Sequence, residues 1–322
     1  MAKIFVTRKV PESGIKMLQG KGFEVVINPE DRVLTKEELI NNLKGQSYDA
    51  LFCLLTDKID ADVMDSFGPQ LKIIANMAMG FDNINIGEAK KRGIIVTNTP
   101  GVLTETVAEH TFALMLAIAH RIVEADKFTR ALKWQGWAPV LLLGNDLSRK
   151  TLGIVGLGRI GSRVAYHALK GFEMKVLYYD VKRSEDFEKE FSAVYLPLEE
   201  LLKQSDFVSI HVPLLDSTQH LINAENLKLM KPSAYLVNTS RGPVIDEAAL
   251  AYALANKVIK GAALDVFEFE PKITPELLKL DNVILTPHIA SGTEETRSKM
   301  SDLAASNIIE ALEGRTPPNL VK

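Results

Sequence analysis

Charged side chains follow several apolar runs in the second half of the chain, and their types suit anion binding and proton transfer. Arg241 follows the run AYLVNTS, Glu270 comes shortly after GAALDVF, and His288 follows NVILTP. A guanidinium binds a carboxylate through two parallel hydrogen bonds. An imidazole exchanges protons near neutral pH, and a nearby carboxylate favours its charged form and fixes its orientation. The three side chains therefore predict a site that binds an organic acid and transfers a proton.

The runs that precede these side chains have the length and composition of buried strands. A first series comprises KIFVTR, FEVVI, DALFCLL, LKIIAN and GIIVTN, with helical segments near residues 12–20, 36–44, 60–67 and 85–92. A second series comprises TLGIVG, MKVLYYD, DFVSIHVP, AYLVNTS, GAALDVF and NVILTPH. Alternating strands and helices indicate parallel sheets covered on both faces. Such sheets bind ligands beyond the carboxyl ends of their strands, where the charged residues are predicted to meet.

Two α/β series predict two doubly wound parallel-sheet domains, each with its own core. We expect a flavodoxin-like substrate domain formed by residues 1–100 and 291–322, and a Rossmann nucleotide domain formed by residues 101–290. The chain would then cross between the domains near Pro100 and near Ala290. Paired crossings of this kind can act as a hinge that closes a cleft on substrate.

Two further helices are predicted from their apolar patterns. The segment from Val102 to Val123 is apolar on most faces, and Thr106 and Glu109 have the spacing of a capping box at its start. A helix this apolar needs cover on every side, from a neighbouring domain or from a second subunit. An amphipathic helix is also predicted from about Thr293 to Glu313, before the proline-containing segment TPPNLVK.

The glycine-rich sequence GLGRIG, residues 156–161, follows the strand TLGIV directly and opens a predicted helix. The first glycine allows a tight turn, the second lets backbone approach a pyrophosphate, and the third lets the helix pack on the strand. The next strand ends in Asp180, 19 residues past Gly161 and near the ~20 typical of the acid that binds the adenosine ribose. A negative charge there favours NAD over NADP, although Lys182 and Arg183 could partly neutralise a 2′-phosphate.

A dinucleotide site combined with the charged trio favours the reduction of a 2-oxo acid. This reaction needs a cation for the substrate carboxylate, an acid that protonates the carbonyl oxygen, and a group that keeps the acid charged. Arg241, His288 and Glu270 suit these roles in that order. Taken singly, Arg241 could form a surface ion pair and Glu270 could start a helix. Their joint placement after successive strands argues for the site instead.

The composition excludes several other classes of protein. The 322 residues carry 38 Lys+Arg and 41 Asp+Glu, without the basic stripe that nucleic acid requires. The longest apolar stretch, around Thr111 to Ala119, is shorter than the ~20 residues that cross a bilayer, and MAKIFVTRKV has no secretory pattern. No His, Cys and carboxylate cluster has metal-ligand spacing. With Cys53 as the only cysteine, we expect a cytoplasmic protein that binds no metal, nucleic acid or membrane.

Four stretches match one known family closely: GLGRIG with its trailing YYD, LKLMKPSAYLVNTSRGPVIDEAAL, GAALDVFEFEP and NVILTPHIAS. On these stretches the chain resembles the D-isomer-specific 2-hydroxyacid dehydrogenases over essentially its whole length. Within that family it resembles the glyoxylate/hydroxypyruvate reductase branch most. The resemblance implies NADH-dependent reduction of a small 2-oxo acid to the D-2-hydroxy acid. A homodimer is also expected, because the apolar helix and the stretch WQGWAPVLLLG leave more apolar surface than one subunit can cover.

The resemblance also assigns site residues. It makes Arg241, Glu270 and His288 the catalytic residues. It implies that the cofactor contacts Gly156, Gly158, Arg159, Ile160, Gly161, Asp180, His211, Val212, Pro213, Thr218, Thr239, Ser240, Arg241, Asp265, His288 and Thr104. It implies that the substrate contacts Leu55, Met79, Gly80, Arg241 and His288, with backbone amides of Met79 and Gly80 on the substrate carboxylate.

Two departures from the family pattern bear on substrate choice. Met79 stands where related reductases often have the smaller valine, and Leu141 stands where some members carry a tryptophan. In the family the stretch that contains Leu141 reaches toward the partner subunit. The sequence therefore leaves the preferred 2-oxo acid open.

Other functions of this fold remain as alternatives. A corepressor-like protein that senses NAD(H) would keep the fold and the trio, and long appended tails would favour it. Glutamine in place of Glu270 would favour formate dehydrogenase. D-lactate and 3-phosphoglycerate are alternative substrates within the family. The remaining histidines, His110, His120, His167 and His220, are expected to be structural, and His211 to border the cofactor groove.

Overall fold

The computed structural model describes residues 1–321, and these residues divide into two compact units. The first unit holds Met1–Leu103 together with the segment from Gly292 onward, and the second unit holds Thr104–Ser291. Each unit contains one parallel β-sheet with helices packed against it. The prediction of two doubly wound α/β folds is therefore confirmed.

The first unit is built on a five-stranded parallel sheet. Its strands are β1 (Lys3–Val6), β2 (Glu24–Ile27), β3 (Ala50–Cys53), β4 (Ile73–Asn76) and β5 (Ile95–Thr97). Its helices are α1 (Glu12–Gly20), α2 (Lys36–Leu43), α3 (Ala61–Phe67), α4 (Ile86–Lys91) and, from the later segment, α12 (Glu294–Leu312). The strand order is β2-β1-β3-β4-β5, which is the flavodoxin-like arrangement.

Local sequence explains several features of this unit. The Thr35 hydroxyl accepts the amide of Glu38 while the Glu38 carboxylate accepts the amide of Thr35, so a capping box starts α2. The α12 helix begins after Thr293, as predicted, because the Thr293 side chain caps its first turn. This helix packs on α1 at Gly14, where an added Cβ would lie 2.5 Å from the Ser301 carbonyl oxygen.

The second unit is built on a seven-stranded parallel sheet. Its strands are β6 (Thr151–Val155), β7 (Lys175–Tyr179), β8 (Val194–Tyr195), β9 (Phe207–Ile210), β10 (Tyr235–Asn238), β11 (Gly261–Leu264) and β12 (Val283–Leu285). Its α-helices are α5 (Thr104–Ala119), α6 (Ile122–Arg130), α7 (Arg159–Phe172), α8 (Glu185–Phe191), α9 (Leu198–Gln204), α10 (Ala224–Leu229) and α11 (Glu247–Ala255). Short 3-10 helices cover Gly242–Val244 and Leu277–Lys279.

The order of these strands is β12-β11-β10-β9-β6-β7-β8, so the chain changes direction across the sheet beside β6. This is the Rossmann arrangement, which binds dinucleotides at that point of reversal. The central strands β9, β10 and β11 are buried along their whole length, because helices cover both faces of the sheet. Residues of α9, α10 and α11 form one apolar core, and residues of α5 and α7 form another. Of the helices described, none is long and apolar enough to span a bilayer.

The helix predicted from Val102 to Val123 is two helices in the structure. The α5 helix ends before Arg121, which takes a left-handed backbone conformation (φ 55°), and α6 follows. Thr106 lies inside α5, which has already begun two residues earlier, so the predicted capping box with Glu109 is wrong. The helix α5 packs against α7 and against β10, β11 and β12. Its own unit therefore covers most of the apolar surface that was expected to need a second subunit.

Candidate active site

The carboxyl ends of six strands of the second unit carry most of the predicted site residues. They are Gly156 after β6, Asp180 after β7, His211 after β9, Thr239, Ser240 and Arg241 after β10, Asp265 after β11, and His288 after β12. Because these strands are parallel neighbours in one sheet, the residues that follow them lie along one edge. Open parallel sheets bind their ligands at this edge.

His288 and Glu270 form a hydrogen-bonded pair. Nδ1 of His288 lies 2.9 Å from Oε2 of Glu270, and Oε1 of Glu270 accepts the backbone amide of Phe267 at 3.0 Å. Burial raises the pKa of the Glu270 carboxyl, but the hydrogen bond and charge of His288 and the charge of Arg241 outweigh it, so the net shift of this pKa is downward. An ionised Glu270 favours the protonated imidazole and fixes the orientation of its ring.

The loop that carries His288 is held by the fully buried carboxylate of Asp265. This carboxylate accepts the amides of Ile289 at 2.9 Å and Ala290 at 2.7 Å, and the Thr286 hydroxyl at 2.6 Å. Burial raises the pKa of Asp265, but the hydrogen bonds that it accepts outweigh burial and lower the pKa. His288 takes a left-handed conformation, φ 54°, which is costly for a residue with a side chain. Asp265 thus anchors a strained backbone at the site.

Arg241 follows β10, which is the neighbour of β11 in the sheet, and its positive charge acts on Glu270. The side-chain amide of Asn238 donates to the Arg241 carbonyl at 2.9 Å, which fixes the backbone that bears the guanidinium. The next residue, Gly242, runs close to the segment that leads to Glu270. An added Cβ at Gly242 would lie 1.9 Å from the carbonyl carbon of Phe267. The Arg241 segment and the Glu270 segment are therefore in direct contact, and only glycine fits between them.

The glycine-rich turn between β6 and α7 has the form of a pyrophosphate cradle. Gly156 has φ 97°, and a Cβ there would lie 2.8 Å from the carbonyl carbon of His211. A Cβ at Gly161 would lie 2.0 Å from the Gly156 oxygen, whereas one at Gly158 would meet no atom within 4 Å. The turn leaves open space at the N-terminus of a 14-residue helix, where backbone amides favour an anion. These residues fit a bound dinucleotide.

Asp180 is hydrogen-bonded to this turn. Its Oδ2 accepts the backbone amide of Leu157 at 2.7 Å, and its Oδ1 accepts that of Lys182 at 3.2 Å. Arg183 donates instead to the Glu188 carboxylate, through hydrogen bonds of 2.8 and 2.7 Å. The Arg183 guanidinium, which could neutralise a 2′-phosphate, is therefore already paired with Glu188.

His211 follows β9 and faces Gly156 with its backbone. Its Nε2 lies 2.8 Å from the Ser209 hydroxyl, and burial lowers the pKa of the imidazole to about 3. The ring is therefore neutral at physiological pH, which suits a residue that borders the cofactor rather than one that transfers protons. After it, the Thr218 hydroxyl donates to the Pro213 carbonyl at 2.6 Å and folds the loop back on itself.

The remaining predicted cofactor contacts lie at the starts of two helices and in the loops that follow two strands. The Thr239 hydroxyl is 3.0 Å from that of Thr111, and the Ser240 hydroxyl donates to Asn238 at 2.8 Å. The other positions are Arg159 and Ile160 at the start of α7, Val212 against the turn at Gly156, and Thr104 as the first residue of α5.

The predicted substrate contacts Leu55, Met79 and Gly80 belong to the first unit. Leu55 follows β3, and the other two follow β4. The Met79 carbonyl accepts the side chain of Asn98 at 2.7 Å, and the Gly80 carbonyl accepts that of Asn76 at 3.0 Å. The Met79 carbonyl shares a peptide group with the Gly80 amide, so its hydrogen bond fixes the orientation of one of the two amides that are expected to bind the substrate carboxylate.

Three histidines that are expected to be structural have acidic partners in the second unit. The pairs are His110 with Asp265 at 3.5 Å, His167 with Glu105 at 2.7 Å, and His220 with Glu268 at 2.7 Å. The sequence did not reveal these partners because each lies far away along the chain. Among residues 1–321, no group of three or more His, Cys, Asp or Glu side chains is placed to hold a metal ion.

Glu247 is a buried acid near the site that the sequence did not mark. Its side chain is 3% exposed and accepts two backbone amides from the segment around Glu270. An acid at the first position of a helix is ordinarily explained by the helix dipole and by contact with water. No signal in the sequence therefore separates Glu247 from the acids that start other helices.

A Rossmann sheet whose edge combines a glycine cradle, a histidine–glutamate pair and an arginine defines a nicotinamide-dependent dehydrogenase. The family model described as D-isomer specific 2-hydroxyacid dehydrogenase, NAD binding domain, matches residues 112–290. The chain belongs to the family of D-isomer specific 2-hydroxyacid dehydrogenases, which confirms the resemblance seen in its sequence. It is therefore an oxidoreductase that uses a nicotinamide cofactor.

Similar proteins match along nearly the whole chain. Glyoxylate reductase from Korarchaeum cryptofilum is 52% identical over 322 residues, which cover 99% of this chain and 95% of the relative. A solved NADPH-dependent glyoxylate/hydroxypyruvate reductase from Sinorhizobium meliloti, in complex with NADP and malonate, is 33% identical with a TM-score of 0.85 and coverage of 99% and 96%. Solved D-lactate dehydrogenase from Aquifex aeolicus, complexed with NAD and lactic acid, is 36% identical with a TM-score of 0.85 and coverage of 99% and 98%.

Proposed function

We propose that this enzyme reduces glyoxylate and hydroxypyruvate to their 2-hydroxy acids with NADH. The observation that carries the proposal is the His288–Glu270 pair, which shares one sheet edge with Arg241 and the glycine cradle. The 52% identical relative bears the name glyoxylate reductase. In this proposal the first unit is the substrate domain and the second unit is the nucleotide domain.

Each member of the trio has one task in the proposed reaction. Arg241 binds the substrate carboxylate through its planar guanidinium and polarises the adjacent carbonyl. His288 is bonded to Glu270 through Nδ1, so its Nε2 donates the proton to the carbonyl oxygen. Glu270 fixes the orientation of the imidazole through this hydrogen bond, and a carboxylate at this distance favours the proton-carrying form of the ring. The nicotinamide, when bound, supplies the hydride for the carbonyl carbon.

NAD is the proposed cofactor because the acid at the end of β7 faces the glycine-rich turn. Asp180 carries a negative charge where the 2′-phosphate of NADP would lie, and it accepts the Leu157 amide of the turn. Arg183 is paired with Glu188. Of the two cations that could neutralise a 2′-phosphate, this leaves Lys182. The Sinorhizobium meliloti structure holds NADP, so the preference needs a direct test.

The proposed substrates are small because the side chains expected around the C3 substituent are apolar. Leu54, Leu55 and Met79 of the first unit, with Leu141 of the stretch WQGWAPVLLLG, offer no charge to a phosphate or a second carboxylate. Glyoxylate and hydroxypyruvate are expected first, with pyruvate also accepted, because an apolar wall separates a methyl from a hydroxyl by only ~10- to 200-fold. Oxaloacetate and 3-phosphohydroxypyruvate should be poor substrates, since each brings an unpaired anion.

A homodimer is proposed from the arm of residues 131–143. This segment is exposed at nearly every position, and it displays Leu132, Trp134, Trp137, Val140 and Leu143. An exposed apolar segment of this size is typical of a surface that a second subunit covers. We further propose a cytoplasmic location, which the single free cysteine suits.

A steady-state panel tests the proposal. The purified enzyme is assayed with glyoxylate, hydroxypyruvate, pyruvate, oxaloacetate and 3-phosphohydroxypyruvate, each with NADH and with NADPH. We expect the highest kcat/KM for glyoxylate or hydroxypyruvate with NADH. A highest kcat/KM for oxaloacetate or 3-phosphohydroxypyruvate would contradict the proposal that the side chains around the C3 substituent are apolar. A preference for NADPH would contradict the proposal that Asp180 selects NAD.

A further inference from the structure

Glu247 binds the segment that carries Glu270 on both sides of that residue. This segment, residues 266–274, is called here the glutamate loop. Oε2 of Glu247 accepts the backbone amide of Glu268, and Oε1 accepts that of Thr274, both at 2.7 Å. Glu247 is 3% exposed, so water does not compete for these hydrogen bonds. One buried carboxylate therefore holds the Glu268 and Thr274 amides at a fixed separation.

The contact between the loop and α11 is reciprocal. Oε2 of Glu268 accepts the backbone amide of Glu247 at 3.1 Å, in the first turn of α11. Oε1 of Glu268 lies 2.7 Å from Nε2 of His220. A carboxylate at a helix N-terminus satisfies an amide that has no partner within the helix. The loop and the helix thus hold each other through two carboxylates.

The other side of the loop is packed as closely. Gly242 lies against Phe267 and Glu268, with no room for a side chain. Within the loop, the Phe267 amide donates to Glu270 at 3.0 Å, and the Lys272 amide donates to the Phe269 carbonyl at 2.9 Å. The position of the Glu270 carboxylate therefore depends on the path of the whole loop, and Glu247 fixes that path.

We infer that Glu247 is a positioning residue for the reaction, because it holds the glutamate loop so that Glu270 meets His288. The inference rests on the proposed roles of Glu270 and His288. Glu247 is bonded to the loop and Glu270 to His288, so Glu247 acts on His288 through Glu270. This sets it apart from a buried acid that only stabilises the fold, since its effect on turnover should vanish once Glu270 has lost its own function.

The test is a double-mutant cycle on kcat with the full-length enzyme, glyoxylate and NADH. Glu247→Gln keeps the shape of the side chain, but its NH₂ group faces a backbone amide donor and one hydrogen bond is lost. We expect kcat to fall about tenfold while the Kd for NADH changes by less than about twofold. In the Glu270→Gln background, the same substitution should lower kcat no further.

Asp246→Ala is the matched control. Asp246 precedes Glu247 and caps the same helix through the Ala249 amide at 2.9 Å, so its side chain acts on the helix rather than on the glutamate loop. This variant should lower the unfolding temperature and leave kcat unchanged. Should Glu247→Gln fail to fold, Glu247→Asp enters the same cycle, because its shorter side chain cannot reach both amides.

The possible results distinguish the positioning role of Glu247 from the proposed catalytic function of Glu270 and His288. A wild-type kcat in the folded Glu247 variant, or an undiminished effect in the Glu270→Gln background, would overturn the positioning role while leaving the proposed function intact. A wild-type kcat in Glu270→Gln alone would overturn the proposed role of Glu270 and, with it, this inference. A loss of kcat that disappears in the double variant would support both.

Discussion

His288 is fixed in two ways that matter for proton transfer. Its backbone is held in the left-handed region at φ 54°, and its ring lies 2.9 Å from the Glu270 carboxylate. Backbone strain persists only where surrounding contacts over-determine it. Here the buried Asp265 accepts the amides of Ile289 and Ala290, directly after the histidine. Contacts within the protein therefore orient the proposed proton donor.

Glu270→Gln should shift the pH dependence of reduction. The pKa of Glu270 is lowered, mainly by His288 against the opposing effect of burial, so the carboxylate is ionised throughout the neutral range. Its charge favours the protonated histidine, and a neutral glutamine does not. The pH above which kcat/KM for glyoxylate declines should therefore move down. An identical pH profile in the two enzymes would show that Glu270 is not the partner that matters.

Asp180→Ser should weaken NADH binding and improve the use of NADPH. The substitution removes an acceptor for the ribose hydroxyls and a charge that repels the 2′-phosphate. The measurement is kcat/KM for both cofactors. Arg183→Ser is the control, because Arg183 is engaged by Glu188 and should contribute little to either value. A large loss of NADPH use in the control would show that Arg183 reaches the phosphate and that its pairing with Glu188 breaks on binding.

At the scale of elements, α7 must approach β6 closely to present its N-terminus to a pyrophosphate. Gly161→Ala should disturb this approach, because the new Cβ would lie 2.0 Å from the Gly156 oxygen. We expect the Kd for NADH to rise by tenfold or more, a cost of about 1.4 kcal/mol. Gly171→Ala in the same helix meets no atom within 4 Å and should leave the Kd unchanged. Equal NADH affinities in the two variants would contradict the proposal that the turn at Gly161 binds the pyrophosphate.

Much of this arrangement could be predicted from the sequence, because buried parallel strands are apolar runs and their ends are marked by polar residues. The GLGRIG turn and the positions of Arg241 and His288 were identified in this way. The break at Arg121 was not, since no glycine or proline marks it and a left-handed arginine is rare. The apolar pattern runs on past Arg121, so by itself it predicts one helix instead of two.

The supports of the site could not be predicted, for a different reason. Asp265 and Glu247 act by accepting backbone amides of residues far along the chain, such as Ala290 and Thr274. Backbone amides are present at every non-proline residue, so neither partner leaves a mark in the sequence. Only the path of the loops brings them together. The resemblance to a family placed Asp265 beside the cofactor, and the structure adds its role beneath His288.

For the whole molecule, the arm is the surface that favours a dimer. The helix α5 is covered within its own unit, whereas Leu132, Trp137 and Val140 of the arm are 90%, 84% and 76% exposed. Light scattering at low micromolar concentration should give the mass of two chains. Trp137→Asp with Val140→Asp should shift it toward one chain, because a charged arm cannot be buried. Tyr252→Asp, at a surface residue away from the arm in sequence, should leave the dimer intact, and a wild-type monomer would contradict the proposal.

The central proposal is that the enzyme reduces glyoxylate with His288 as the proton donor. Comparing the turnover of glyoxylate by the wild-type enzyme and by His288→Ala tests both parts of this proposal in one experiment. NADH oxidation is followed under saturating conditions, and the Kd for NADH is measured for both proteins by fluorescence. We expect that wild type converts glyoxylate, that His288→Ala lowers kcat by ~10²-fold or more, and that the Kd for NADH stays nearly constant. Absence of glyoxylate reduction in wild type, or near-normal kcat in His288→Ala, would contradict the central proposal.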